Sequence, residues 1–116
     1  MAKVLTDAAV RRQPRSGERR EIPDGGVPGL YLVVHPSGGK GWALRFRRPD
    51  GRPAKLVLGS VDLSGHEPEG RPQIGTPLSL RAARALAADQ LRERARGVDV
   101  AAVHVAAKRR ARETKR

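Results

Sequence analysis

Two arginines and one lysine are spaced so that their side chains would share one surface. Arg45 and Arg47 are two residues apart within residues 41–47, a segment that alternates apolar and polar residues as a β-strand does. Lys55 lies on the next predicted strand, beyond a hairpin turn at residues 49–51. Arginine can pair with guanine through two hydrogen bonds or grip a phosphate. The spacing therefore predicts a cationic surface that suits a polyanion.

The overall charge favours the same class of partner. The 116 residues include 24 Lys+Arg and 12 Asp+Glu, a formal net charge of +12, and both halves of the chain contribute to the excess. Such a surface repels itself unless it meets a polyanion, so nucleic acid is the first candidate partner and an anionic membrane surface the second. A basic surface that is merely solvated, or a genome that favours arginine codons, is the alternative.

Several function classes are excluded or disfavoured by what the sequence lacks. It contains no cysteine, so neither a disulfide framework nor a thiolate zinc site is possible. The three histidines, His35, His66 and His104, have no ligand spacing, and we expect neither a metal nor a cofactor. No apolar run is long enough to cross a membrane and the N-terminus lacks a signal-peptide core. We expect a cytoplasmic, nucleoid-associated protein.

Capping residues mark two helices. Thr6 is predicted to cap a short N-terminal helix that Pro14 closes. Ser79 is a suitable N-cap for a second helix over residues 80–96, and Gly97 fits the position just beyond its C-terminus. The rest of the chain, residues 98–116, begins apolar and ends basic, and could be a nascent helix or a disordered tail. We therefore expect one domain over residues 1–97 and a basic linker or tail over 98–116.

The strands lie between these helices. Residues 30–35, 41–47 and 54–58 are predicted strands, and residues 20–22 form a short additional one. The fold predicted is α+β, with a three- or four-stranded antiparallel sheet packed against a C-terminal helix. A long loop at residues 60–77 joins the last strand to that helix.

Alternation along the strands assigns the side chains to two faces of the sheet. The predicted core face carries Leu30, Leu32, Val34, Trp42, Leu44, Phe46, Leu56 and Leu58. The opposite face carries Tyr31, Val33, His35, Ala43, Arg45, Arg47, Lys55 and Val57. We expect this second face to have cations and no carboxylate, a one-sided charge that a merely solvated face would not usually show.

Further candidates for nucleic-acid contact surround the three central cations. Tyr31 and His35 share their predicted face and could donate to phosphate or pack against sugar or a thymine methyl group. Lys40, Arg48 and Arg52 are placed at hairpin ends, where long cations suit phosphate contacts. For each of these residues an ordinary solvent-exposed role is the alternative.

Several short motifs occur in a recognisable order along the chain. They are Leu5-Thr6-Asp7, Asp24-Gly25-Gly26, Gly29-Leu30-Tyr31-Leu32-Val33-Val34, Pro36-Ser37-Gly38, Gly41-Trp42-Ala43-Leu44-Arg45-Phe46, Leu58-Gly59, Leu78-Ser79-Leu80 and Ala83-Arg84. This ordered set resembles the arm-type DNA-binding domain of phage-type integrases, which are tyrosine recombinases. The resemblance covers roughly residues 4–100, and a Val27-Pro28 insertion and the long 60–77 loop depart from the usual pattern.

The resemblance implies a sheet that enters the DNA major groove at arm-type sites and holds an integrase there during recombination. The implied partners are double-stranded DNA, the rest of the integrase and accessory DNA-bending proteins. The recombinase reaction needs a nucleophilic tyrosine in a separate domain, and the one tyrosine here, Tyr31, lies within the predicted sheet. We therefore expect a non-enzymatic chain, not a complete recombinase. An RNA-binding module and a basic protein-interaction domain are the alternatives.

Overall fold

The computed structural model describes residues 4–13, 17–65 and 70–114 and confirms the α+β fold predicted from the sequence. A four-stranded antiparallel sheet has the order β1-β2-β3-β4, so every neighbouring pair of strands is consecutive in the chain. Three helices accompany the sheet within these described ranges. The elements are α1 (Asp7–Arg11), β1 (Arg20–Pro23), β2 (Leu30–Val34), β3 (Lys40–Arg47), β4 (Pro53–Ser60), α2 (Leu80–Ala95) and α3 (Val100–Thr114).

The helix caps read from the sequence are present. The Thr6 hydroxyl accepts a hydrogen bond from the Ala9 N–H at 3.1 Å and begins α1. The Ser79 hydroxyl accepts a hydrogen bond from the Ala82 N–H, and Ser79 caps the start of α2. Gly97 follows the end of α2 with a φ of 91°, a left-handed conformation that favours glycine.

The segment after Gly97 contains the helix α3. Of the two alternatives that the sequence left open, a helix is therefore confirmed over a disordered tail. The Asp99 carboxylate accepts a hydrogen bond from the Ala102 N–H at 3.1 Å at the start of α3. Val100 and Ala101 are buried, whereas the basic second half of α3 is exposed. The division of the chain at residue 97 stays a prediction.

Helix α2 and the loop before it cover one face of the sheet, and the core lies between them. The predicted core face is confirmed, with Phe46 at its half-buried margin. Trp42 is fully buried, and its indole N–H donates to the Leu78 carbonyl oxygen at 2.9 Å. Alanines on α2, among them Ala83 and Ala87, let the helix approach the sheet closely.

A β-bulge explains how the long loop packs against the sheet. The register of β3 and β4 shifts so that Trp42 pairs with Gly59 while Ala43 pairs with Val57. At Gly59 an added Cβ would lie 2.2 Å from the Thr76 carbonyl oxygen, so the returning chain passes directly against the bulge. At the end of the loop, Leu78 lies in the core. Residues 66–69 lie outside the described residues.

A buried ion pair connects three segments that are far apart in the chain. Asp24, in the turn between β1 and β2, is 3% exposed and is bonded by the Arg84 guanidinium from α2 at 2.8 and 3.0 Å. The same carboxylate accepts the N–H groups of Leu5 and Gly26 at 3.0 and 3.1 Å. Arg84 also donates to the Leu5 carbonyl oxygen at 2.7 Å. Burial alone would raise the pKa of Asp24, but these hydrogen bonds lower it below its ordinary value of 3.8.

We predict that Asp24→Ala destabilises the domain by about 3 kcal/mol, because removing one partner leaves a partly buried guanidinium and two N–H donors without their acceptor. The free energy of unfolding in urea, monitored by Trp42 fluorescence, measures this loss. Asp50→Ala is the matched control, since the Asp50–Arg52 pair is exposed and its loss should cost less than about 1 kcal/mol. Equal losses in the two variants would contradict a structural role for the Asp24–Arg84 pair.

The same variant should change the response to acid. A carboxylate with a lowered pKa stabilises the folded state above its unfolded-state pKa, and that stability is lost as the pH falls through the folded-state value. The wild-type protein should therefore lose stability below about pH 4, where Asp24 begins to protonate on unfolding. Asp24→Ala should show a shallower loss over the same range.

Candidate nucleic-acid interface

The sheet face turned away from α2, here called the outward face, has a small apolar layer of its own. Tyr31, Val33 and Ala43 form a cluster that the sheet separates from the main core. Strand register sets this arrangement, because Tyr31 pairs with Ala43 and Ala43 pairs with Val57. Val57 is 62% exposed, whereas Tyr31 is 4% exposed. An outward-facing tyrosine is buried only if other side chains cover it.

Two of the predicted DNA-contacting cations provide that cover. The Arg45 guanidinium carbon lies 4.8 Å from the centroid of the Tyr31 ring, and the Lys55 ammonium lies 5.9 Å from it. Arg45 and Lys55 are directly paired across β3 and β4, so the ladder itself brings the two charges together. Both distances are within the range of cation–π attraction. Tyr31 is thus a platform beneath the cations, and ligand contact with its ring requires them to move.

The outward face also carries a carboxylate, so the expectation of an acid-free face is wrong. Glu21 pairs with Val33 in the β1–β2 ladder and therefore shares the face with Tyr31. Its carboxylate forms ion pairs with Arg19, Arg45 and, at 4.0 Å, Lys55. That expectation was based on β2, β3 and β4 alone. Strand β1 also belongs to the sheet and contributes Glu21 to the outward face.

Ion pairing holds Glu21 in its charged form. The hydrogen bond from Arg19 is the largest influence that lowers the pKa of Glu21, and partial burial opposes it. The positive charges of Arg45, Arg19 and Lys55 lower the pKa further. The carboxylate therefore stays ionised at neutral pH and cancels part of the positive charge of this face.

Arg47 extends the cationic surface toward the hairpin between β3 and β4. Its guanidinium donates to the Gly51 carbonyl oxygen at 3.0 Å, and the residue is exposed. The Arg94 guanidinium, from the end of α2, donates to the Arg47 carbonyl oxygen at 2.8 Å. Arg52 lies in the same hairpin with an 82% exposed side chain, 3.7 Å from the Asp50 carboxylate. Arg48, which precedes the turn, is half-buried.

The remaining two predicted contacts lie at the other end of β3. His35 is exposed in the hairpin between β2 and β3, where its backbone N–H donates to the Gly39 carbonyl oxygen. Lys40 is half-buried, and its ammonium lies 3.4 Å from the Arg11 carbonyl oxygen at the end of α1. The structure thus brings together Tyr31, Arg45 and Lys55, places Arg47 beside them, and keeps His35 and Lys40 apart from this group.

Sequence reasoning missed three charged residues near this surface. Glu21 lies in the predicted first strand and Arg19 just before it, but their proximity to Arg45 depends on a strand register that turn residues alone do not fix. Arg94 lies on a helix that follows β4 by a long loop, and no sequence signal links it to Arg47. Among the described residues no three histidine, aspartate or glutamate side chains are grouped as metal ligands, and no helix there is long and apolar enough to span a membrane.

We predict that Tyr31→Phe leaves the free energy of unfolding within about 0.5 kcal/mol of wild type. Among the described residues the buried hydroxyl has no hydrogen bond of ordinary geometry, and the Arg45 guanidinium that interacts with it is largely exposed to solvent. Tyr31→Ala should cost about 3 kcal/mol, because it removes the ring that supports the apolar layer and the two cations. Urea unfolding of both variants provides the measurement. A Tyr31→Phe loss above about 1.5 kcal/mol would show that the hydroxyl is bonded.

Comparison with known proteins bears on the resemblance seen in the sequence. The family model for the arm DNA-binding domain matches residues 5–107, a range that includes the whole sheet, α2 and the first half of α3. No curated protein matches the chain. The match spans most of the chain and confirms the resemblance, so this chain belongs to the family of arm DNA-binding domains of phage integrases.

Proposed function

We propose that this domain binds double-stranded DNA by placing the outward face of the sheet, led by the β3–β4 hairpin, in the major groove. The observation that carries the proposal is the paired presentation of Arg45 and Lys55 over Tyr31, with Arg47 exposed beside them. These side chains project from strands, which are rigid supports, and the face is not covered by α2. A basic surface held in this way differs from one made of scattered solvated side chains.

The dimensions of the sheet suit this mode of binding. The B-DNA major groove is about 12 Å wide and admits a two-stranded ribbon. Strands β3 and β4 are each eight residues long and are joined by a tight turn, so the hairpin can enter the groove lengthwise. We assign base reading to Arg45, Arg47 and Lys55, since arginine pairs well with guanine O6 and N7. Exposed Val57 offers apolar contact for a thymine methyl group.

The peripheral cations would supply affinity without sequence reading. Arg48 and Arg52 flank the β3–β4 turn and His35 lies at the β2–β3 turn, so they would contact phosphates at opposite ends of the face. Lys40 pairs with the core-face residue Val34, and it would contact a phosphate only after its ammonium leaves the Arg11 carbonyl oxygen. Phosphate contacts make binding strongly dependent on salt. Tyr31 takes part as the platform that orients Arg45 and Lys55.

In an integrase, this module would hold the protein on arm-type sites during DNA integration. The chemistry of strand exchange would belong to a separate catalytic domain, and we propose no enzymatic role for the residues of this fold. The rest of the integrase and DNA-bending proteins are the expected partners on such sites. RNA is a poorer fit, because RNA modules usually stack bases on exposed aromatic side chains, whereas Tyr31 is covered and Trp42 is in the core.

We predict that Arg45→Ala combined with Arg47→Ala weakens binding to the cognate duplex at least tenfold, because each lost base contact costs about 1–3 kcal/mol. The dissociation constant is measured in a gel-shift assay with a 20-bp duplex that the wild-type protein enriches from a random pool. Arg109→Ala combined with Arg112→Ala is the matched control. It removes the same charge from the exposed end of α3 and should weaken binding no more than about threefold.

Equal losses in the two double variants would contradict binding through the outward face. Methylation of guanine N7 in the enriched duplex, which blocks the major-groove edge of the base, should also weaken wild-type binding. Undiminished binding to the methylated duplex would contradict guanine reading by Arg45 and Arg47. An equal-length RNA duplex added as competitor should displace the DNA poorly, and efficient displacement would favour an RNA-binding role.

A further inference from the structure

Glu21 is the one carboxylate that the strands of the described sheet place on the outward face, and it lies among the cations proposed to read DNA. Its side chain is 25% exposed and forms ion pairs with Arg45, Arg19 and Lys55. A carboxylate beside these cations opposes phosphate, because like charges repel. An acidic residue at this position therefore needs a role that offsets this cost.

The geometry at Arg45 indicates what that role is. A guanidinium has five N–H donors in a fixed planar fork. Arg45 uses Nη2 to bond Glu21 Oε2, and its guanidinium lies over the Tyr31 ring. The carboxylate and the ring together restrict the orientation of the fork, while the Arg45 side chain remains 61% exposed. Donors not used by Glu21 are therefore left for a guanine edge.

We propose that Glu21 is a specificity-determining residue that positions Arg45 for base reading and penalises contact with DNA that lacks the matching base. This inference deepens the proposed function and rests on it. On a matching sequence, Arg45 can bind guanine while it keeps its bond to Glu21. On any other sequence, Arg45 must leave Glu21 to reach a phosphate, or bring a phosphate close to the carboxylate, and both are unfavourable. The residue thus lowers non-specific affinity more than specific affinity.

The test compares Glu21→Gln with wild type in the full chain on two probes, the enriched 20-bp duplex and a scrambled duplex of the same base composition. We expect Glu21→Gln to bind the scrambled duplex about three- to tenfold more tightly, because Arg45 and its neighbours are released toward phosphates. Binding to the enriched duplex should stay the same or weaken. The ratio of the two affinities should fall at least about fivefold, and the salt dependence on the scrambled duplex should steepen by about one phosphate contact.

Asp50→Asn is the matched control. It removes one negative charge beside a proposed phosphate-binding residue, Arg52, in the turn between β3 and β4, and asparagine can still accept the Arg52 N–H. Both affinities should rise by a similar factor, so their ratio should stay within about twofold of wild type. A thermal melt checks that Glu21→Gln is folded, and Glu21→Ala is a second neutral variant with the same expected result.

The outcomes separate the two proposals. In one outcome the wild-type protein binds the enriched duplex, the Arg45 and Arg47 double variant does not, and the folded Glu21 variants keep or raise the affinity ratio. This result overturns the role of Glu21, whereas DNA binding by the outward face stands. If the affinity ratio of Asp50→Asn falls as far as that of Glu21→Gln, a general charge effect replaces the specific one. Absence of wild-type duplex binding overturns both proposals.

Discussion

A single buried carboxylate joins the parts of this domain. Asp24 receives the backbone N–H of Leu5, the N–H of Gly26 and the guanidinium of Arg84, so the N-terminal segment, the β1–β2 turn and α2 meet at one group. The Asp24 carboxylate is itself buried, and a buried charge is costly unless donors such as these pair with it. Together with the apolar side chains of α2, the Asp24–Arg84 pair holds this helix against the core face of the sheet, and α2 leaves the other face uncovered.

This asymmetry allows the sheet to serve two purposes. The inward face is filled by leucine, valine and tryptophan side chains that pack against α2 and the returning loop. The outward face has a thin apolar layer of Tyr31, Val33 and Ala43, too small to form a second core, and it is covered by charged side chains instead. Cations that lie over an aromatic ring lose less freedom when they bind a ligand than cations on flexible, unsupported stems. We therefore expect Arg45 and Lys55 to be partly ordered before a partner binds.

Much of the fold was accessible from the sequence, because its signals are local. The caps Thr6 and Ser79, the stop at Gly97 and the alternation of the strands each depend on residues within a few positions of one another. The ion pairs between distant segments could not be predicted from the sequence. Asp24 and Arg84 are 60 residues apart, and Glu21 reaches Arg45 only because β1 and β3 both flank β2 in a particular register. The burial of Tyr31 was missed for the same reason, since alternation shows which way a side chain points and not what covers it.

Binding of duplex DNA by the outward face is tested most directly by an NMR titration of the full chain with the enriched duplex. Signals of the Arg45 and Arg47 side chains, the Lys55 amide and the Tyr31 ring should change as DNA is added, until the protein is saturated. The methyl signals of Leu86 and Ala87, on the covered side, should stay in place. Shifts confined to α2 and α3, with the outward face unmoved, would contradict the proposed mode of binding.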